Sequence, residues 1–182
     1  RLHEILKICD KWNIPVIEDA AESLGSYYNE RPVGSFGLLS AFSFNGNKIV
    51  TSGGGGSIVT NNSNLASYAK FLTTTAKKRN TYEFIHTEIG YNYRMPNINA
   101  ALACAQLENL EFMLDKKREL ASYYFDFFNS IGINFRRENP GTKANYWLMC
   151  IELENLKDRN IFIESTNKDK IMTRPIWKLM FE

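Results

Sequence analysis

Pro15-Val16-Ile17-Glu18-Asp19-Ala20-Ala21-Glu22-Ser23-Leu24-Gly25 follows a stretch in which Leu2, Ile5, Leu6 and Cys9 recur at helical spacing. That helix should end between Lys11 and Asn13, because Pro15 has no backbone N–H to continue it. Val16-Ile17 then reads as a short buried strand ending at Glu18-Asp19. Helix, tight loop and strand make half of a crossover unit, the connection that a parallel sheet requires. The fold class is therefore α/β.

Further along, Ala20 to Gly25 is small and flexible, and Arg31-Pro32-Val33-Gly34 reads as a turn. Leu38 to Phe44 is a second strand, running into the polar loop Asn45-Gly46-Asn47-Lys48. A glycine run, Gly53 to Gly56, precedes a third strand at Ser57-Ile58-Val59-Thr60. Asn64 to Thr75 reads as a helix and Lys77 to Thr87 as a surface loop carrying the basic run Lys77-Lys78-Arg79. One long helix is expected from about Asn97 to Ser130, with Ile98, Ala101, Leu102, Ala105, Leu110, Met113, Leu114, Leu120, Tyr124 and Phe127 on one broad face. Such a helix spans about 50 Å at 1.5 Å per residue, enough to pass from one domain to another. Gly132 closes it, and the aromatics at Tyr123, Tyr124, Phe125, Phe127 and Phe128 read as core. Asn145 to Leu153 and Met172 to Ile176, around Pro175, complete the pattern as strands. The expected boundary lies inside the long helix, with residues 1–112 in a larger domain and 113–182 in a smaller one.

Composition excludes more than it assigns. The 182 residues carry 22 basic and 20 acidic side chains, a net charge of +2, and are 44% hydrophobic, which is ordinary for a folded globular protein. That balance offers no long-range attraction to nucleic acid or to an anionic membrane. No apolar run approaches the ~18 residues of a membrane span. Cys9, Cys104 and Cys150 are odd in number and far apart. They argue against a disulfide framework or zinc site and for a reducing, cytoplasmic setting. His3 and His86 suggest no metal site either. The chain opens on Arg1 without a signal-peptide pattern and closes on the apolar Trp177, Leu179, Met180 and Phe181. A piece of a longer protein is the expectation.

Two residues stand where chemistry is done. Asp19 closes a parallel strand at its carboxyl end, where open α/β sheets bind ligands, although an isolated Asp there also serves as a cap. Lys48 lies in a polar loop between two apolar strands, although a lone lysine there is also an ordinary surface group. A strand Asp, a strand bearing Ser43, then Lys48 and a glycine-rich turn together match the needs of pyridoxal phosphate. The lysine amine condenses with the cofactor aldehyde, and a carboxylate keeps the pyridine nitrogen protonated so that the ring accepts electrons. Small hydroxyl and amide groups beside the lysine hold the phosphate. Other phosphate motifs fail: Gly46-Asn47-Lys48-Ile49 lacks the Walker hydroxyl and first glycine, and Gly53 to Gly56 lead into a strand rather than a helix. Those glycines either let backbone pass close beneath a cofactor or form a hairpin turn.

Ile17-Glu18-Asp19-Ala20-Ala21-Glu22-Ser23-Leu24-Gly25, Phe42-Ser43-Phe44-Asn45-Gly46-Asn47-Lys48 and Gly53 to Gly56 resemble the nucleotide-sugar aminotransferases of the DegT/DnrJ/EryC1/StrS family. A further block, Gly90-Tyr91-Asn92-Tyr93-Arg94-Met95 with Asn99-Ala100-Ala101-Leu102 and Gln106-Leu107, resembles the same family. Asn45 to Lys48, Pro96 to Asn99 and Thr173-Arg174-Pro175-Ile176-Trp177-Lys178-Leu179-Met180 look most like its legionaminic-acid-type branch. Members of that branch act on a UDP-linked 4-keto-6-deoxy-N-acetylhexosamine.

The resemblance implies the aspartate aminotransferase-like fold of PLP-dependent transferases (fold type I). The chain would then be the last part of a large cofactor domain plus the start of a small one. It also implies roles for single residues. Lys48 would be the Schiff-base lysine and proton carrier, Asp19 the partner of the pyridine nitrogen, and Ser43 a phosphate ligand. Asn92 would reach the cofactor of a neighbouring subunit, making a homodimer with shared active sites. Glu22 stands where the family commonly has Gln, near the cofactor's phenolic oxygen, and a carboxylate there needs a proton or a partner. Arg174 falls in the substrate region and could contact an anionic group, or simply be a surface residue.

The implied reaction moves an amino group, from glutamate, onto C4 of a UDP- or dTDP-linked keto sugar for cell-surface glycans. Two other readings stay open at this point. One is a sugar dehydratase of the same fold, which Lys48 counts against, since that group has histidine there. The other is a non-catalytic regulatory or assembly homologue.

Overall fold

The computed structural model describes residues 1–80 and 82–181. Thr81, within the expected surface loop, and Glu182, within the expected second domain, lie outside the described residues. The elements follow in the order α1 (Leu2–Lys11), β1 (Ile17–Asp19), β2 (Tyr27–Tyr28), β3 (Arg31–Pro32), β4 (Leu39–Ser43), β5 (Gly56–Val59) and α2 (Ser63–Thr73). Then come α3 (Asn97–Glu108), α4 (Leu110–Ser130), β6 (Asn134–Phe135), β7 (Thr142–Lys143), β8 (Ile151–Glu152) and α5 (Leu156–Lys168).

Two compact units divide these elements. The first comprises Arg1–Leu120 with Glu138–Trp147, and the second Ala121–Arg137 with the chain from Leu148 onward. The changeover falls inside α4, and a ten-residue return, 138–147, belongs to the first unit.

In the first unit the central sheet has the order β1-β4-β5. β1 runs parallel to β4, with Asp19 opposite Ala41, and β5 returns antiparallel, with Gly56 opposite Ser43. The helix and these three strands follow one another along the chain as expected. β1 is not the buried strand that Val16-Ile17 suggested: it is an edge strand, and Ile17 is 68% exposed. The expected turn at Arg31–Gly34 is displaced as well. Arg31 and Pro32 form β3 against β2, and the reversal is made by Asn29 and Glu30, both at positive φ, the conformation that two-residue hairpins need. A second sheet, β3-β2-β7, brings Thr142–Lys143 onto β2.

Glu18 organises the turn before β4. Its carboxylate accepts the backbone N–H groups of Gly34 (2.8 Å), Phe36 (2.6 Å) and Gly37 (2.6 Å). Three donors on one half-buried carboxylate are charge-assisted bonds, and removing the acceptor strands all of them. Glu18→Ala is expected to cost about 2 kcal/mol of stability. Urea unfolding of the full-length protein checks it, and a midpoint equal to the parent's would show that water replaces the carboxylate at no cost.

The long helix is interrupted. α3 ends at Glu108 and α4 starts at Leu110, because Asn109 turns its backbone N–H to Gln106 O while its side-chain Nδ2 takes Ala105 O at 2.9 Å. Side-chain competition for a helical carbonyl is how Asn breaks a ladder. The inward face also differs from the expected one: Ala103, Leu114, Ala121 and Phe128 are buried, whereas Ile98 is 85% exposed. Among the aromatics expected in the core, Phe128 is buried, but Tyr123 and Phe127 are more than half exposed. A cluster of Phe44, Val50 and Ala103, packed by Leu24, Met95 and Leu110, sits under the β4–β5 loop.

In the second unit β6 pairs with β8, and Tyr124 stacks on Phe128 and Phe135. The expected strand over 145–153 survives only as β8. Tyr146 sits at φ +47 and Asn145 and Trp147 spend their polar groups elsewhere, so the chain cannot stay extended. Met172 to Ile176 is no strand either. Thr173 is tied to α5 instead, its Oγ1 2.6 Å from Thr166 Oγ1 and its carbonyl accepting from Asn167 Nδ2, and Pro175 has no N–H for a ladder. Among the described residues no helix is long and apolar enough to cross a membrane.

Candidate active site

The parallel pairing of β1 and β4 puts their carboxyl ends side by side, so Asp19 and Ser43 open onto the same edge of the sheet. Ala20 N–H donates to Ala41 O at 2.9 Å and fixes the exit from β1. Asp19 is exposed, and its Oδ1 accepts Ala21 N–H at 3.1 Å. Ser43 Oγ accepts Asn45 N–H at 3.3 Å, which leaves its own O–H free to donate. Opposite Ser43 the strand must be glycine: a Cβ on Gly56 would lie 2.2 Å from Phe42 O, inside the ladder itself.

Lys48 hangs from the β4–β5 loop, which is anchored behind it by the fully buried Val50. Its Nζ lies 3.1 Å from Glu22 Oε1, and only 12% of its side chain is exposed. The indole ring of Trp147 covers its other side, with the ring centroid 4.0 Å from Nζ. Glu22, Ser43, Lys48, Asn145 and Trp147 thus line one nearly filled cleft, with a cavity volume of about 10 Å³.

That cleft is closed by residues for which sequence reading offered no role. Asn145 is buried, and both ends of its side-chain amide and its backbone N–H are bonded. Its Nδ2 donates to Glu22 O (2.7 Å) and Leu24 O (3.0 Å), its Oδ1 accepts Trp147 N–H (3.0 Å), and its N–H donates to Ser26 Oγ (3.1 Å). Trp147 Nε1 donates to Asn47 O at 2.6 Å, beside the lysine. The return segment is pinned to α4 by Arg118, which holds Glu138 through two bonds (2.8 and 3.0 Å) and also donates to Ala144 O at 2.7 Å. The Glu138 hydrogen bonds raise the proton affinity of that guanidinium beyond its usual value. Lys117 Nζ adds a bond to Trp147 O at 3.2 Å. From Asn145 to Ser26, Glu22 and Leu24, and from Trp147 to Asn47, these bonds span 100 to 123 positions of chain, so no local spacing could have disclosed them.

The remaining sequence candidates are not among the residues that line this cleft. Asn92 is exposed in the connection from α2 to α3, bridged to Thr74, and does not line the cleft. Arg174 belongs to the second unit, exposed, with Nη2 3.3 Å from Met172 Sδ. Glu22 answers the question that its charge raised: its carboxylate rests on the Lys48 ammonium. Gly53 and Gly55 adopt positive φ in the turn before β5, the hairpin role of the glycine run.

The sequence profile of the DegT/DnrJ/EryC1/StrS aminotransferase family matches residues 1–181. The chain is 38% identical over 179 residues to EpsN of Bacillus subtilis (strain 168), whose name places it with the pyridoxal phosphate-dependent aminotransferases; the match covers 98% of this chain and 46% of that one. It is 36% identical to the GDP-perosamine synthase of Escherichia coli O157:H7, covering 97% and 48% respectively. Among solved structures, Helicobacter pylori PseC, an aminotransferase involved in the biosynthesis of pseudoaminic acid, superposes with a TM-score of 0.82 at 28% identity. That superposition covers 100% of this chain and 51% of that one. The chain therefore spans about half the length of the curated relatives it matches.

Proposed function

Because the chain belongs to the DegT/DnrJ/EryC1/StrS aminotransferase family, we propose that the whole protein is a pyridoxal 5′-phosphate-dependent aminotransferase acting on a nucleotide-linked 4-keto-6-deoxy sugar. The amino group comes from glutamate and goes to C4. The observation that carries this reading is the enclosure of the Lys48 amine in a cleft with Ser43, at the sheet edge where Asp19 emerges. This donor set fits the cofactor: a primary amine for its carbonyl carbon, a carboxylate for its ring nitrogen, and a hydroxyl for its phosphate. When bound, pyridoxal phosphate supplies the electron sink that lets a carbon beside nitrogen lose a proton.

Each side chain then has a task. Lys48 Nζ would be the amine for the cofactor's carbonyl carbon and the carrier of the proton. Glu22, 3.1 Å away, compensates the charge whenever Nζ is an ammonium. Asp19 would hold the pyridine nitrogen protonated, and Ser43 Oγ–H would donate to the phosphate. The exposure of Asn92 suits a residue that serves the cofactor of a partner subunit, so the active unit is a homodimer with shared sites. Arg174 is assigned to an anionic part of the substrate.

The finer assignment follows the branch resemblance: a UDP-linked (or dTDP-linked) N-acetylated keto sugar of the legionaminic-acid type, aminated in the cytoplasm for a surface glycan. The expected division at residue 112 is read as one between a large cofactor domain and a small one, with residues 113–120 and the return 138–147 packed in the first unit. Incubating the full-length protein with glutamate and a panel of UDP-, dTDP- and GDP-4-keto sugars tests the reading by product mass. An amino sugar formed with equimolar 2-oxoglutarate is expected. A product that has lost water, or no product from any sugar, overturns it.

A further inference from the structure

The indole of Trp147 is held more firmly than packing alone requires. Its Nε1 is bonded to Asn47 O, its N–H to Asn145 Oδ1, and its carbonyl to Lys117 Nζ. Those bonds fix the ring so that its face meets the Lys48 ammonium, with the centroid 4.0 Å from Nζ. Glu22 Oε1 approaches the same nitrogen from another direction. The charged groups recorded at this seat are the Glu22 carboxylate, on Nζ, and the Lys117 ammonium, on the Trp147 carbonyl.

An indole face has an unusual property here. It attracts a cation through the ring quadrupole, yet it is not a base and takes no proton from it. It also has no comparable attraction for the uncharged amine. A lysine on a flexible four-carbon stem loses much rotamer freedom when it is held in one place. A surface that binds Nζ only while it is charged holds the side chain ready and lets go when the proton leaves.

We propose that Trp147 is a positioning residue for Lys48: with Glu22 it forms the seat in which the lysine ammonium rests whenever the amine is not joined to a carbonyl. This rests on the reading of Lys48 as the reactive amine, and it adds a tryptophan from the return segment to the machinery. The seat would hold the side chain in one place while its amine is free, so that a proton it carries is returned from a fixed position.

The test reads the amine itself, in the full-length protein without added cofactor. Tryptophan is replaced by its mono- and trifluorinated forms, which keep shape and drain charge from the ring face. Lys48 is then labelled with formaldehyde and cyanoborohydride, and its peptide is followed by mass spectrometry. Labelling at pH 7 is expected to rise with each step of fluorination, about fivefold across the series. In a Trp147→Leu background the dependence on fluorine should vanish. A flat series, or a dependence surviving Trp147→Leu, overturns the proposal. Borohydride trapping of pyridoxal phosphate on Lys48, measured in parallel on the unfluorinated protein, separates the two ideas. Absence of trapping sinks the aminotransferase reading, whereas trapping with a flat labelling series sinks only the seat.

Discussion

Full-length protein carrying Lys48→Arg is expected to lose transamination by roughly 10³-fold or more, because it removes nucleophile and proton carrier together. Arginine is the informative replacement. It keeps the positive charge beside Glu22 and the cation over Trp147, so the ion pair and ring contact that fill this cleft persist. Guanidinium, however, never gives up its proton at working pH, and it cannot form the covalent link to an aldehyde. Folding should therefore be unchanged, while borohydride no longer fixes cofactor to the peptide spanning position 48. Turnover at a tenth of the parent rate or better would remove Lys48 from the chemistry.

Asp19→Asn is the second large effect, expected to lower kcat by on the order of 10²–10³ through loss of one preorganised charge at the ring nitrogen. The competing role for Asp19 is that of a turn cap, since its Oδ1 accepts Ala21 N–H at 3.1 Å. Asparagine retains that acceptor oxygen and discards only the negative charge, so the substitution separates the two roles. A cofactor analogue with a methylated, permanently charged ring nitrogen should restore much of the lost rate to Asp19→Asn. Wild-type rates in the variant, or a loss that tracks thermal stability instead of kcat, would reduce Asp19 to a cap.

Glu22 links these expectations. A carboxylate facing a phenolate is repelled, yet Glu22 lies on a lysine cation and is thereby neutralised as a pair. Its backbone carbonyl is held by Asn145 as well. The side chain at position 22 therefore reports on both the lysine and the return segment, and the two cannot be varied independently through it.

What could be read in advance follows the range of the forces. The α1–β1 start, the strand carrying Ser43, the loop carrying Lys48 and the third strand all lie within the first 60 residues. Each is announced by local spacing or a breaking residue. The failures lie where side chains override local preference. Asn109 interrupts the long helix by taking Ala105 O with its own amide. Thr173 is drawn to α5 by Thr166 and Asn167, so the expected strand around Pro175 does not form. Ile17 reads as buried from its neighbours, but burial depends on what covers an edge strand, and β1 is such an edge.

By itself the sequence determined the α/β class, the family, and the order in which a carboxylate, a hydroxyl and an amine reach one edge of a sheet. Alternation, helix spacing and glycine placement act over a few residues, and that span contains the information. Only the tertiary structure decided what encloses the amine. Asn145 and Trp147 reach Glu22, Leu24 and Asn47 across 100 or more positions, and their bonds form only after the chain has closed on itself. A hydrogen bond over that separation leaves no period in the sequence, because its geometry is set by α4 and the return of residues 138–147 rather than by its neighbours.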